Sequence, residues 1–128
     1  MPTNSDIAKL LLRLSVGVLI LFHGIHKVIH GISGVKAMLS NAGLPEFLSY
    51  GVYVGEVVAP IFIILGLYAR LASVVVAFNM LVAIFLAYGF SFSLAKYGGL
   101  AIESPLLFLI MSLIIVLLGS GKYSVNNK

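Results

Sequence analysis

The 128-residue chain is 61% hydrophobic and only 9% charged, where a soluble domain carries about 25% charged residues. It has no cysteine, which excludes a thiol–disulfide relay or an iron–sulfur cluster built on its own thiolates. The net charge of +4, set in so apolar a chain, reads as membrane orientation and contact with anionic lipid, not nucleic acid.

The first apolar stretch runs from about residue 7 to 29. Lys9 precedes it as in a secretory leader, but the run continues into His23-Gly24-Ile25-His26-Lys27 with no small-residue cleavage pattern behind it, so a retained helix is expected. In the connection from Gly31 to Leu44, Val35, Met38, Leu39 and Ala42 recur at helical spacing opposite Lys36, Ser40 and Asn41. That pattern predicts a short helix lying on the membrane surface.

A second stretch covers about 47–68, with Pro45 suited to its first turn. Gly51 and Gly55 match the small-xxx-small pattern that lets a helix pack closely, inside a bundle or in a homodimer. Pro60 removes the hydrogen bond that would reach the Glu56 carbonyl, which predicts a kink there. Residues 66–70 leave almost no loop before the third stretch, 70–90, so the two form a tight antiparallel hairpin. The fourth, 104–119, has Ser104 as N-cap and Pro105 in its first turn, and Gly119-Ser120-Gly121 ends it.

Residues 71–95 and 104–121 carry no charge, and about 20 residues cross a ~30 Å hydrocarbon core. The expected fold is all-α: one domain over 1–128, a four-transmembrane-helix antiparallel bundle with the interfacial helix between helices 1 and 2. Both termini then share a side with Lys9, Arg70, Lys122 and Lys128, against Lys27, Lys36 and Lys96 offset by Glu46 and Glu103. The bias predicts a multi-pass protein of the cell inner membrane with cytoplasmic termini.

Arg13, His23, Lys27 and Glu56 interrupt the first two spans. An ionisable group at bilayer depth costs roughly 2.5–3.5 kcal/mol on translocon scales, so it persists where it has a partner or a task. At about 100° per residue, Lys27 lies roughly 40° from Arg13, His23 roughly 80° and His30 roughly 100°, all to one side of helix 1. Glu56, about 14 Å into helix 2, has His23 as its natural partner, with Lys27 or Arg13 as alternatives. Asn79 sits at similar depth and Glu103 near the level of Lys27, so a polar interior lined by all four helices is expected.

Each residue also has a plainer role. Arg13 and Lys27 are near helix ends and can snorkel to the headgroups, while Asn79 can serve as an interhelical hydrogen bond. Glu56 is too short and too deep to snorkel. The spacing of His23, His26 and His30 invites a metal, but His26 points about 140° from Arg13, and no metal site is expected.

Arg13, Phe22-His23-Gly24 with Lys27, Gly43-Leu44-Pro45, Glu56, Leu65-Gly66-Leu67 with Arg70, Glu103-Ser104-Pro105 and the closing Gly119-Ser120-Gly121-Lys122-Tyr123-Ser124 together resemble the DoxX family of small four-helix membrane proteins. The resemblance covers nearly the whole chain. It implies kinship with the small subunit of thiosulfate:quinone oxidoreductase, and links to membrane oxidoreductase complexes and oxidative-stress defence. It marks Arg13, His23, Lys27, Glu56, Arg70 and Glu103; Ser104 departs from the pattern, where an aromatic often follows the glutamate.

Three functions fit these residues. In the first, the chain is a redox subunit that holds a quinone, with Glu56 and His23 as catalytic groups and Arg13, Lys27, Asn79, Arg70 and Glu103 as cofactor-binding groups, and a protein partner supplies electrons. In the second it is a membrane anchor or assembly factor for a partner protein. In the third the same polar cluster relays a small solute or proton.

Overall fold

The computed structural model describes residues 3–89, 94 and 98–126. Lys96, Lys128 and the expected end of the third helix at residue 90 lie outside them. The described chain is helical: α1 (Asn4–His30), α2 (Ser33–Asn41), α3 (Glu46–Leu65), α4 (Ala69–Tyr88) and α5 (Glu103–Leu118). Among the described residues the β pairing is one isolated bridge between Leu94 and Leu100.

α1 begins three residues before the expected start because Thr3 and Asp6 form a capping box. The Thr3 hydroxyl accepts from the Asp6 amide at 3.1 Å, and the Asp6 carboxylate accepts from the Thr3 amide at 3.1 Å, so two otherwise unpaired N–H groups are satisfied. α2 forms as its periodicity requires. Its apolar face is turned inward, with Leu39 3% exposed and Val35 and Met38 half-buried, and it packs on the start of α3 and on α4.

α3 is not one regular helix. It opens as a 3₁₀ segment (Glu46–Tyr50), makes one α turn, widens into a π turn over Val54–Val58 and resumes as α-helix from Ala59. Within the wide turn the Ala59 amide donates to the Val54 carbonyl, five residues back. Pro60, with no N–H, follows at once, so the kink expected from proline takes the form of a π turn around Glu56. α3 ends at Leu65, and Gly66 and Tyr68 both take left-handed backbone angles in the short link to α4. In α5 the cap position falls on Ile102 and no side chain caps the helix. Ser104, expected as the cap, lies inside the first turn.

α1, α3 and α4 are long and apolar enough to cross a membrane; α5, at 16 residues, is apolar but shorter, about 24 Å of rise against a ~30 Å core. α1 packs on α3, and α4 on α5 and α3. Their shared core contains Val16, Ile20, Ile63, Val76, Met80 and Ile115. Beyond α5 the chain turns back under the α3–α4 link, where the Val125 amide donates to Leu65 O at 3.0 Å and the Tyr68 amide to the Asn126 side chain at 2.9 Å.

Candidate functional site

At the end of the bundle away from the described termini, Glu56 stands in the π turn with its side chain 5% exposed. Lys27 Nζ lies 2.7 Å from each carboxylate oxygen, and Asn79 Nδ2 donates to Oε2 at 3.0 Å. Three helices thus meet on one carboxylate. A buried carboxylate with an opposite charge and a neutral donor is compensated in the way such a charge requires.

Two glycines make this geometry possible. A Cβ on Gly24 would run into the carbonyl of Glu56 and lie 2.6 Å from its carbonyl carbon, so α1 and α3 touch backbone to backbone here. A Cβ on Gly55 would lie 2.7 Å from Cβ and Cγ of Asn79, so the missing side chain is what lets Asn79 lie across α3 to the carboxylate. Gly51, the other half of the small-xxx-small pattern, has nothing within 4 Å of its Cβ position.

The close approach at Gly24 also decides which α1 residue meets Glu56. Lys27 lies about 60° from Gly24 around the helix and has a long side chain, while His23 lies about 100° away on the flank. His23 therefore is not the partner of Glu56, as its depth had suggested; its ring meets the edge of Phe108 on α5, centroids 6.2 Å apart and planes at 80°. His26 and His30 stack on each other at 4.3 Å, both exposed.

A cavity of about 280 Å³ adjoins the cluster. Lys27, Glu56, Asn79 and His23 form its polar side, and Val35 and Met38 of α2, with Met80, Leu86 and Phe108, belong to its apolar wall. All five helices contribute, but the polar groups are gathered on one side, so the polar interior expected of the sequence is one polar side of a mostly apolar cavity.

Arg13, Arg70 and Glu103 are not at this cavity. Arg13 is 0% exposed at the opposite end, where Nη1 donates to Ile63 O at 3.1 Å and Ile64 O at 3.2 Å and Nη2 donates to Tyr123 O. It does not snorkel; it caps the last carbonyls of α3 and ties the C-terminal segment to them. Arg70 is exposed, with its guanidinium over the backbone of Gly119. Glu103 is exposed at the start of α5, beside Gly99.

Gly24, Gly55, Val35, Met38 and Phe108 are site residues that the charges alone did not reveal. A lone glycine inside an apolar helix was the available signal for Gly24, since it marks close backbone approach.

Residues 8–89 match the DoxX family. The chain belongs to the DoxX family. The match holds Arg13, His23, Lys27, Glu56, Arg70 and Asn79, and ends before α5, which supplies Phe108. A curated protein of Bacillus subtilis (strain 168) named "Putative oxidoreductase CatD" is 30% identical over 84 residues, 66% of this chain and 62% of that protein's length. The chain thus spans less than two thirds of that relative. No solved structure matches it. Membership of this family, together with the apolar helices, makes the chain a membrane protein with a redox-related kinship.

Proposed function

We propose that this DoxX protein is a four-span membrane subunit of a redox system that binds the ring of a membrane quinone at Lys27, Glu56 and Asn79. The observation that carries the proposal is a deeply buried carboxylate, held by one cation and one amide, on the wall of an otherwise apolar cavity. The similarity to a protein named an oxidoreductase supports the redox side.

The donor set suits the oxygens of such a ring. Lys27 has three N–H donors and two are turned to Glu56, which leaves one for a ring oxygen. Asn79 keeps its second N–H, and the His23 ring adds a nitrogen. About 280 Å³ is near the lower end of the ~300–1,000 Å³ typical of small-molecule pockets, enough for one ring and too little for a dinucleotide. A bound quinone would take up two electrons and two protons on reduction. In that setting Glu56 holds or gives up a proton at its Oε atoms, Lys27 sets the charge beside it, and the apolar wall keeps water away. With no cysteine in the chain, electrons come from a partner protein. The modest lysine and arginine bias supports cytoplasmic termini at the inner membrane.

A second reading is favoured by one observation: both Glu56 oxygens already have partners. The cluster then only locks α1, α3 and α4 together, and the chain anchors a partner protein. Mass spectrometry of lipids co-purified with gently solubilised protein separates the two. Quinone retained by wild type and lost from Glu56→Gln of equal helicity is the expected result. Wild type free of quinone overturns the redox-ligand reading and leaves the anchor.

A further inference from the structure

The cluster explains how a polar ring is held, but the cavity also has a direction. Along the flank of α1 that faces α5, Val16 and Ile20 are 0% exposed, whereas His23 is exposed and Lys27 is 29% exposed. α5 shows the same trend in reverse chain order: Ile115 is 1% exposed and Ser112 0%, Phe108 is half-buried, and Ser104 is exposed. The seam between α1 and α5 is therefore closed toward the described termini and opens toward the cavity. Where it opens, His23 and Phe108 stand edge to face across it, and both belong to the cavity wall.

The depth of that opening decides what it faces. His23 lies seven residues from the end of α1, roughly 10 Å of rise. α1 is 27 residues long, about 40 Å against a ~30 Å hydrocarbon core, so with the excess shared between its two ends His23 sits roughly 5 Å inside the hydrocarbon. Its outward neighbour on α1, Leu19, about 40° from it on the side away from Gly24, is apolar and 50% exposed.

We infer that the cavity loads sideways from the bilayer between α1 and α5, past His23 and Phe108, and that its ligand is an amphiphile with one hydrogen-bonding ring at Lys27 and Glu56 and a hydrocarbon tail that leaves between the two helices against Leu19. The inference rests on the ring-binding reading and adds the route and the tail. A cavity of about 280 Å³ cannot enclose a ring together with a long tail, so the tail has to leave it, and the seam is an exit that continues directly from the polar cluster. A water-soluble solute has no reason to use a door at that depth.

The test uses wild-type protein in nanodiscs and a benzoquinone probe with a diazirine on the first carbons of an alkyl tail. Photolysis is followed by peptide mapping, with and without an excess of the tail-less benzoquinone ring as competitor. The expected result is competable adducts on α1 and α5 at Leu19, His23 or Phe108, reduced at least fivefold by the competitor. Competable adducts confined to Val35, Ala87 or the α3–α4 side overturn the lateral route while leaving the ring site standing. No competable adduct on any helix overturns the ring site and the route together.

Discussion

The two ends of the bundle each bury an ionisable side chain, and they treat it differently. At one end Arg13 donates to three backbone carbonyls, and among the described residues no carboxylate forms a salt bridge with it. At the other, Glu56 is held by two side chains from two other helices and faces a cavity with an aromatic and a histidine at its edge. Both residues are costly at bilayer depth and both are paired. What separates them is access and not the number of donors: Arg13 keeps its Nε–H unpartnered among the described residues but fully buried among packed backbone, whereas the donors that Lys27 and Asn79 have left over stand on the wall of an open cavity.

The sharpest way to break the comparison is Arg13→Ala. Three charge-assisted hydrogen bonds and a filled volume are lost together, so a fall of about 3–5 kcal/mol is expected, read as a drop in detergent melting temperature and as early proteolysis near Tyr123. A loss under about 1 kcal/mol would return Arg13 to the snorkelling role.

Next comes Lys27→Met. It leaves Glu56 buried without its cation, and about 2 kcal/mol should go, less than the ~3–5 for a fully buried pair because Lys27 is 29% exposed. Lys27→Met/Glu56→Met should recover most of that stability and no ring binding. A double variant no more stable than the single one would show that the pair is not what is lost.

Gly24→Ala is expected to cost about 1–3 kcal/mol, because the clash is with backbone and cannot be relieved by a rotamer change. If it folds, the Lys27–Glu56 pair should be separated and ligand content should fall with it; an unchanged Lys27 chemical shift in labelled protein would contradict this. Asn79→Ala removes a single hydrogen bond and should cost about 1 kcal/mol, with ring affinity weakened and the Arg13 end untouched in hydrogen exchange. The smallest effect belongs to Arg70→Ala, within about 0.5 kcal/mol and with no change in ligand content. A loss of ligand there would extend the site to the far end of the bundle.

Much of this was legible in the residues. The apolar runs located the helices, because only a chain segment with its backbone bonds satisfied internally survives in hydrocarbon, and the glycine at 119 marked the end of α5. Glu56, Lys27, Asn79 and His23 stood out as polar residues in apolar runs. Their pairing was not legible. The expected His23–Glu56 contact assumed a regular α-helix from Phe47, whereas α3 begins as 3₁₀ and widens into a π turn, and both change the rise and rotation by which a depth is reckoned. The capping box that lengthens α1 is written in Thr3 and Asp6, which lie outside the apolar run that marks the helix in the sequence.

Composition, the spacing of the apolar runs and the four interrupting ionisable residues are properties of the one-dimensional chain, and they determined that this is a helical membrane protein with a polar interior. Which of those residues meet depended on how closely α1 and α3 approach and where their faces turn. Gly24 sets the first by letting backbone touch backbone, and the π turn at Glu56 sets the second. Pro60 accounts for a break in α3, but which residues of α1 that break faces is decided only where the two helices press on each other. For that reason tertiary packing alone assigned Arg13 to the frame and Lys27 and Glu56 to the cavity.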